Sequence, residues 1–267
     1  MTPTTGAGKK VLSALADAFT QPAWRASYDI IRTLQERGMR TAVFGGAVRD
    51  VARFGPSYRP RDIDLVVEGA SNEVLLSLFS SYVIRSTRFG GLRLNYNGYL
   101  VDIWPLQDTW AFRQGLVSDV TFQGLTRTTF LDVEAVAVVV GGTLPERMRM
   151  YEYNFLDAMH GGCVDISLKE NPWPCQSLVR ALLTASLLEF GIGDRLLQFA
   201  REQVASVHQD ELIRIARGLY GNEPDWERIV PEWMSSLSQQ ASPRLHGNGA
   251  TDLSRYRRVK DEAAPPG

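Results

Sequence analysis

Residues 41–69 read TAVFGGAVRDVARFGPSYRPRDIDLVVEG, and the two ends of this stretch decide the fold. Thr41–Phe44 is an apolar run of strand character, Gly45-Gly46 is a turn, and AVRDVARF (47–54) reads as a short helix. A second strand is predicted over 62–67. Residues i and i+2 of a strand share a face, so Asp62 and Asp64 project together while Ile63 packs behind them. Two carboxylates side by side repel, and burying them unpaired is costly, so a cation is their natural partner. Mg²⁺ takes oxygen ligands from one or two carboxylates plus substrate phosphates. The strand–Gly–Gly–helix turn offers N–H groups and a positive helix end to a phosphate. Alone, an Asp-x-Asp reads as two solvated carboxylates and a Gly-Gly as a turn. In this order, on these elements, they read as a site for a metal-bound nucleoside triphosphate.

Metal-assisted phosphoryl or nucleotidyl transfer is commonly run by two cations, and a third acid from a neighbouring strand is then expected. Asp102 in YLVDIWPL (99–106) is placed for this. It sits between Val101 and Ile103 on a strand whose hairpin partner is Leu92–Tyr96, with Asn97-Gly98 as the turn signal. A structural, hydrogen-bonding aspartate is the other reading. The chain holds 25 Arg against 4 Lys. Arg49, Arg53, Arg59 and Arg61 surround the two motifs, and forked guanidinium groups suit phosphate. Arg49 has two readings, a salt bridge to Asp50 or a nearby acid, or a phosphate contact. Arg88 and Arg93 flank Phe89-Gly90-Gly91 and either close over substrate or are exposed hairpin charges.

With 267 residues and 44% hydrophobic content, the chain can bury a substantial core. Its net charge of −1 argues against sequence-independent nucleic-acid coating. No apolar run reaches membrane-spanning length, and no secretory signal pattern opens the chain, so a cytoplasmic protein without membrane partners is expected. Cys163 and Cys175 match no zinc spacing and read as reduced thiols. Residues 1–18 read as a flexible arm leading into a helix that ends at Gly38. Strands are predicted near 82–86, 91–96, 99–105, 133–140 and 163–167, with a helix near 71–79 opened by Ser71-Asn72. After Pro174 the spacing turns helical. The division is therefore an arm (1–18), an α+β head (19–170), a small all-helical module (171–237) and a disordered tail (238–267).

GGAVRD (45–50), RDIDLVVEG (61–69) and TRFGGLRLNYNGYLVDIWPL (87–106) resemble the head domain of class II tRNA nucleotidyltransferases (CCA-adding enzymes) and bacterial poly(A) polymerases, within the polymerase-beta-like superfamily. NPWPCQSLVRALLTASLLEFGI (171–192) is similar to that family's first neck helix. The resemblance covers about residues 25–190 and is strongest at 43–104. It implies a mixed or antiparallel sheet with helices, followed by a helical neck. It also implies Mg²⁺ (two ions) on Asp62, Asp64 and Asp102 as the catalytic acids. An NTP would lie on Gly45, Gly46, Arg49, Arg61 and Arg127, and template-independent transfer of NMP to an RNA 3′ end, possibly of tRNA, would follow. The departures are equally specific. The family's Arg-Arg-Asp motif should fall near RTTFLDVEAVAV (127–138), where Arg127 is followed by Thr128 and Thr129, and Glu134 stands where the family has Asn. The base-reading Glu-Asp-x-x-Arg motif would fall on Trp173, Pro174 and Ser177, which cannot imitate its hydrogen bonds. Standard CCA addition is therefore not expected. Nucleotidylation of a small molecule or a protein is the alternative enzymatic reading, and a non-catalytic nucleotide- or RNA-binding module is the third. Oligomeric state is not legible.

Overall fold

The computed structural model describes residues 6–238 apart from 143, 145, 146 and 223. The chain divides into two units, Met1–Met159 and His160–Gly267. In the first unit, helices α1 (Gly6–Ala18) and α2 (Pro22–Gln35) precede strand β1 (Arg40–Phe44) and helix α3 (Gly46–Phe54). Strand β2 (Ile63–Glu68), helix α4 (Asn72–Phe79) and strands β3 (Val83–Ser86), β4 (Leu92–Tyr96) and β5 (Tyr99–Pro105) follow. Short helices α5 (Trp110–Arg113) and α6 (Phe122–Leu125), strands β6 (Val136–Val140) and β7 (Arg149–Glu152), and helix α7 (Phe155–Gly161) complete the series.

The seven strands form one sheet in the order β3-β4-β5-β2-β1-β6-β7. Every neighbouring pair is antiparallel except β2 with β5, which run parallel. The α+β expectation holds, and the mixed sheet has its one parallel joint between the strands that carry the acidic motifs. Strand alternation sorts the side chains onto two faces. Val43, Leu65, Val67, Leu94, Val101, Ile103 and Val138 enter the main core with Leu15, Ile31, Val48 and Leu75 of the helices. The other face carries a smaller cluster of Ala42, Val66, Ala137 and Val139 under Phe112, Phe122 and Leu125. The first face is sealed. The second is covered in part by two short helices, and the site lies there.

Three sequence expectations change. Residues 6–18 are not an arm: they form α1, which packs on α3 and β7. Val11, Leu15 and Ala18 recur at helical spacing and are buried in it, so the segment gains core burial that a mobile arm would forgo. Strand β7 was not anticipated; its short RMYE run offers a poor apolar alternation, yet it pairs with β6 from Val136↔Glu152 to Val139↔Arg149. The strand expected over 133–140 is shorter, because Asp132–Glu134 form a 3-10 turn before β6 begins. Residues 239–267 of the expected tail lie outside the described residues.

The second unit holds the short strand β8 (Cys163–Val164), then α8 (Pro174–Leu188), strand β9 (Gly191–Ile192), and helices α9 (Asp194–Ser206), α10 (Gln209–Tyr220) and α11 (Trp226–Ser238). β8 and β9 pair in parallel and bring residues 163–164 onto the end of α8. Leu178, Leu182, Leu196, Phe199, Leu212, Ile213, Trp226 and Trp233 bury their side chains among the helices. Trp226 and Trp233 are thus core residues. Among the described residues, no helix is long and apolar enough to cross a membrane.

Candidate functional site

One line of paired residues crosses the whole sheet. Tyr151 on β7 pairs with Ala137 on β6, Ala137 with Phe44 on β1, and Phe44 with Asp64 on β2. Asp64 pairs with Asp102 on β5, Asp102 with Arg93 on β4, and Arg93 with Arg85 on β3. Directly paired residues present their side chains to one face. The line therefore reads aromatic, acidic, basic across the partly covered face. Asp62 stands just before β2, two residues from Asp64, and belongs to the same group. The three carboxylates expected from spacing are brought together, on one face, by the parallel β2–β5 joint.

Their charge is only partly balanced. Burial, then repulsion from Asp62 and Asp102, pushes the Asp64 carboxyl well above the ordinary carboxylate range; Arg61 opposes this weakly. Arg61 lies 3.1 Å from Asp62. The larger compensation comes from Arg93. Its Nε donates to Asp102 Oδ1 at 2.7 Å, one Nη donates to Asp102 Oδ2, and the same Nη lies 3.3 Å from Asp62 Oδ2. Hydrogen bonding to Asp102 raises the guanidinium pKa further, against the opposing pull of burial. Sequence reading left Arg93 open between closing over substrate and an exposed hairpin charge, and assigned it no partner. The register set by the Asn97-Gly98 turn was the signal that could have done so, since Tyr96↔Tyr99 counts back to Arg93↔Asp102.

An all-oxygen acidic set, only partly balanced by Arg61 and Arg93, has the donor chemistry for a hard divalent cation. As the side chains stand, however, no three acidic, His or Cys groups among the described residues are drawn together as a ligand set. Arg93 supplies positive charge between Asp62 and Asp102. The donor chemistry of Asp62, Asp64 and Asp102 suits a hard cation, while Arg93 bridges two of the three.

The Gly-Gly turn adjoins this group through β1, which pairs Phe44 with Asp64. Gly45 is the N-cap of α3 with φ 70° and ψ −130°, a conformation that a side chain strains. Its N–H donates to the Val136 carbonyl at 2.9 Å. That corrects one expectation: Gly45 N–H is spent on the sheet. The orphan donors of the first turn of α3 are those of Gly46 and Ala47, because the Gly45 carbonyl is already met by Val48 and Arg49 N–H.

Arg49 makes the salt bridges of its structural reading. Its side chain is buried, with Nε and one Nη donating to Asp50 Oδ1 at 2.9 and 2.8 Å and the other Nη donating to Glu134. Burial pulls its pKa down, but Asp50 and Glu134 overcome this and raise it. A β-carbon on Gly46 would come within 3.3 Å of the guanidinium. Arg49 therefore braces the underside of the turn and ties it to the 3-10 turn before β6. Glu134, where the resembled family has Asn, is the acid that completes this brace. Arg127 is exposed, with its guanidinium 5.2 Å from the Tyr153 ring centroid. Tyr153 N–H bonds the Ala135 carbonyl, next to the Val136 carbonyl that receives Gly45. Arg127 thus lies on the Gly-Gly side of the line, away from Arg93. On the opposite flank, the exposed Phe89 lies 6.2 Å from Trp110, and a β-carbon on Gly90 would come within 3.7 Å of the Arg113 guanidinium.

No family model matches the chain, and no curated protein matches it. Solved structures do. The Thermotoga maritima CCA-adding enzyme complexed with tRNA superposes with a TM-score of 0.58 at 16% identity, covering 86% of this chain and 53% of that one. An apo tRNA-processing enzyme gives 0.54 at 17% identity, over 89% of this chain and 58% of that one. A tRNA nucleotidyltransferase complexed with a primer tRNA and an incoming ATP analogue gives 0.54 at 19% identity, over 76% and 59%. The fold is thus that of tRNA nucleotidyltransferases. The chain spans between half and three-fifths of the length of these structures.

Proposed function

We propose that the protein is a divalent-metal-dependent, template-independent nucleotidyltransferase that moves NMP from an NTP onto an RNA 3′ end. The observation that carries this reading is the pairing of Asp64 with Asp102 across the parallel β2–β5 joint, with Asp62 two residues away. A sheet that places three acids on one face, beside a helix start with open N–H groups, suits a triphosphate and its counter-ion. The shared fold supports the reaction class.

In this account Asp62 and Asp64 would hold Mg²⁺ beside the triphosphate, and Asp102 would join them for a second ion. Bound there, the ions would neutralise phosphate charge and lower the pKa of the attacking hydroxyl. Gly46 and Ala47 N–H groups orient the terminal phosphates. Arg61 adds positive charge beside Asp62, and Arg127 meets the ribose or phosphates from the Gly-Gly side. Arg49 keeps the turn in place without touching the nucleotide. The acceptor hydroxyl oxygen bonds to the α-phosphorus as the bond to the β-phosphate oxygen breaks. Pyrophosphate leaves, and Asp102 orients the hydroxyl as its proton passes to water.

An RNA acceptor is supported by what the matching structures contain, tRNA among them. It is supported too by Phe89 and Trp110 near Arg88 and Arg113, since aromatic rings and cations suit an unpaired strand. Trp173, Pro174 and Ser177 argue against the base selection of ordinary CCA addition. The test is label transfer from each of four α-labelled NTPs, with Mg²⁺, to total RNA, total protein and a small-molecule panel in parallel. Label in RNA supports the proposal. Label confined to protein or small molecules transfers the chemistry to another acceptor and overturns the RNA assignment.

A further inference from the structure

Arg93 stands where the positive charge of a cation-binding site belongs. It is the register partner of Asp102, forks onto that carboxylate, and reaches across to Asp62. A guanidinium and a divalent cation cannot both occupy the space between those two acids. Its contacts are therefore incompatible with the metal set described above.

Resting on the proposed metal–triphosphate site, we propose that Arg93 is a built-in counter-cation that keeps that site closed until a nucleoside triphosphate draws it away. Three features support the exchange. A guanidinium fork matches phosphate oxygens as well as carboxylate oxygens, so moving from acids to triphosphate replaces one charge-assisted pair with another. The Arg93 side chain retains 23% of its exposure, so it can swing without breaking the core. Like charge also stands nearby, since Arg61 lies on the same carboxylate Asp62 and Arg85 is the register partner of Arg93 on β3. A triphosphate in the site would gather these cations and leave the carboxylates open. Metal and nucleotide then bind together or scarcely at all, and the acids do not load a metal ion idly. Arg93 is in this sense a positioning residue: it acts on the reaction through Asp62 and Asp102.

The consequence is read in metal affinity, without any turnover. Mn²⁺ is titrated into the full chain by electron paramagnetic resonance, with and without the α,β-methylene analogues of ATP and CTP. Wild type should bind Mn²⁺ weakly alone and more tightly with analogue, within the 5–150-fold range typical of coupled sites. Arg93→Gln should bind Mn²⁺ alone about tenfold more tightly and lose most of the coupling. Arg93→Lys, which keeps the charge without the fork, should fall between them and guards against misfolding of the first variant. If both variants show wild-type affinity for Mn²⁺ alone while only their melting temperatures fall, Arg93 is merely a cross-strand clamp and the proposal is overturned. Asp64→Asn separates the two levels. It should abolish Mn²⁺ binding in all backgrounds, and undiminished binding there would remove the metal site itself rather than the role of Arg93.

Discussion

Asp64 and Asp102 are register partners on the only parallel pair of strands in the seven-stranded sheet. Strands that run side by side bring two carboxylates to one level and one face, with Asp62 close by. Such an arrangement is electrostatically expensive unless it is used. The raised proton affinity of Asp64 is the measurable sign of that cost, and it leads to the first prediction.

Asp64→Asn should stabilise the metal-free protein while abolishing transfer. The amide removes repulsion with Asp62 and Asp102 and keeps the shape of the side chain. A gain of about 1 kcal/mol would appear as a rise of about 2–8 °C in melting temperature. Calorimetry in a chelating buffer, beside an activity assay, checks both halves. A variant that is less stable and still active contradicts the site.

The same residue sets a pH dependence. Because its folded pKa is raised, folding binds a proton between the unfolded value near 4 and the folded value. The stability contribution is full below the unfolded pKa and is lost as pH rises through the folded one. Mg²⁺ replaces that proton as the partner of the charge. The rise in melting temperature on adding Mg²⁺ with an NTP analogue should therefore be larger at pH 8 than at pH 5. Equal shifts at both pH values would separate metal binding from Asp64.

Arg49 should matter for folding more than for nucleotide affinity. Truncating it to Ala strips Asp50, itself 3% exposed, of the guanidinium that donates to it twice, and breaking a buried ion pair costs about 3–5 kcal/mol. Arg49→Lys recovers little of this, because one ammonium cannot serve Asp50 and Glu134 with the same fork. Urea denaturation measures the loss. A marginal change in stability with a large loss of nucleotide binding would instead make Arg49 a phosphate ligand.

Helix α1 supplies a prediction about the N-terminal segment. Leu15 is fully buried in the main core, so Leu15→Ala should cost about 2–5 kcal/mol. A chain whose first 18 residues were a free arm would lose almost nothing.

Much of this was legible from spacing alone. The β1–Gly-Gly–α3 unit, the β4–β5 hairpin and all three aspartates follow from short-range signals: apolar alternation, an Asn-Gly turn and an i, i+2 pair of acids. What spacing could not convey was which charges meet. Arg49 and Glu134 are 85 positions apart and are joined only when β6 pairs with β1. The capture of Gly45 N–H by Val136 depends on the same pairing. Arg93 differs, since hairpin counting puts it opposite Asp102, and its contact was readable in principle. Strand β7 escaped because RMYE carries too few apolar residues to declare a partner, and the packing of α1 because the spacing of Val11, Leu15 and Ala18 marks a helix but not what it rests on.

The central claim is that these acids drive nucleotidyl transfer. The 267-residue chain incubated with Mg²⁺, RNA and ATP or CTP labelled on either the α- or the γ-phosphate tests it most directly. The account predicts α-label at the RNA 3′ end, γ-label released as pyrophosphate in equal amount, and both lost in the Asp62→Ala, Asp64→Ala double variant. Transfer of the γ-label to RNA, or undiminished α-label transfer by the double variant, would contradict it.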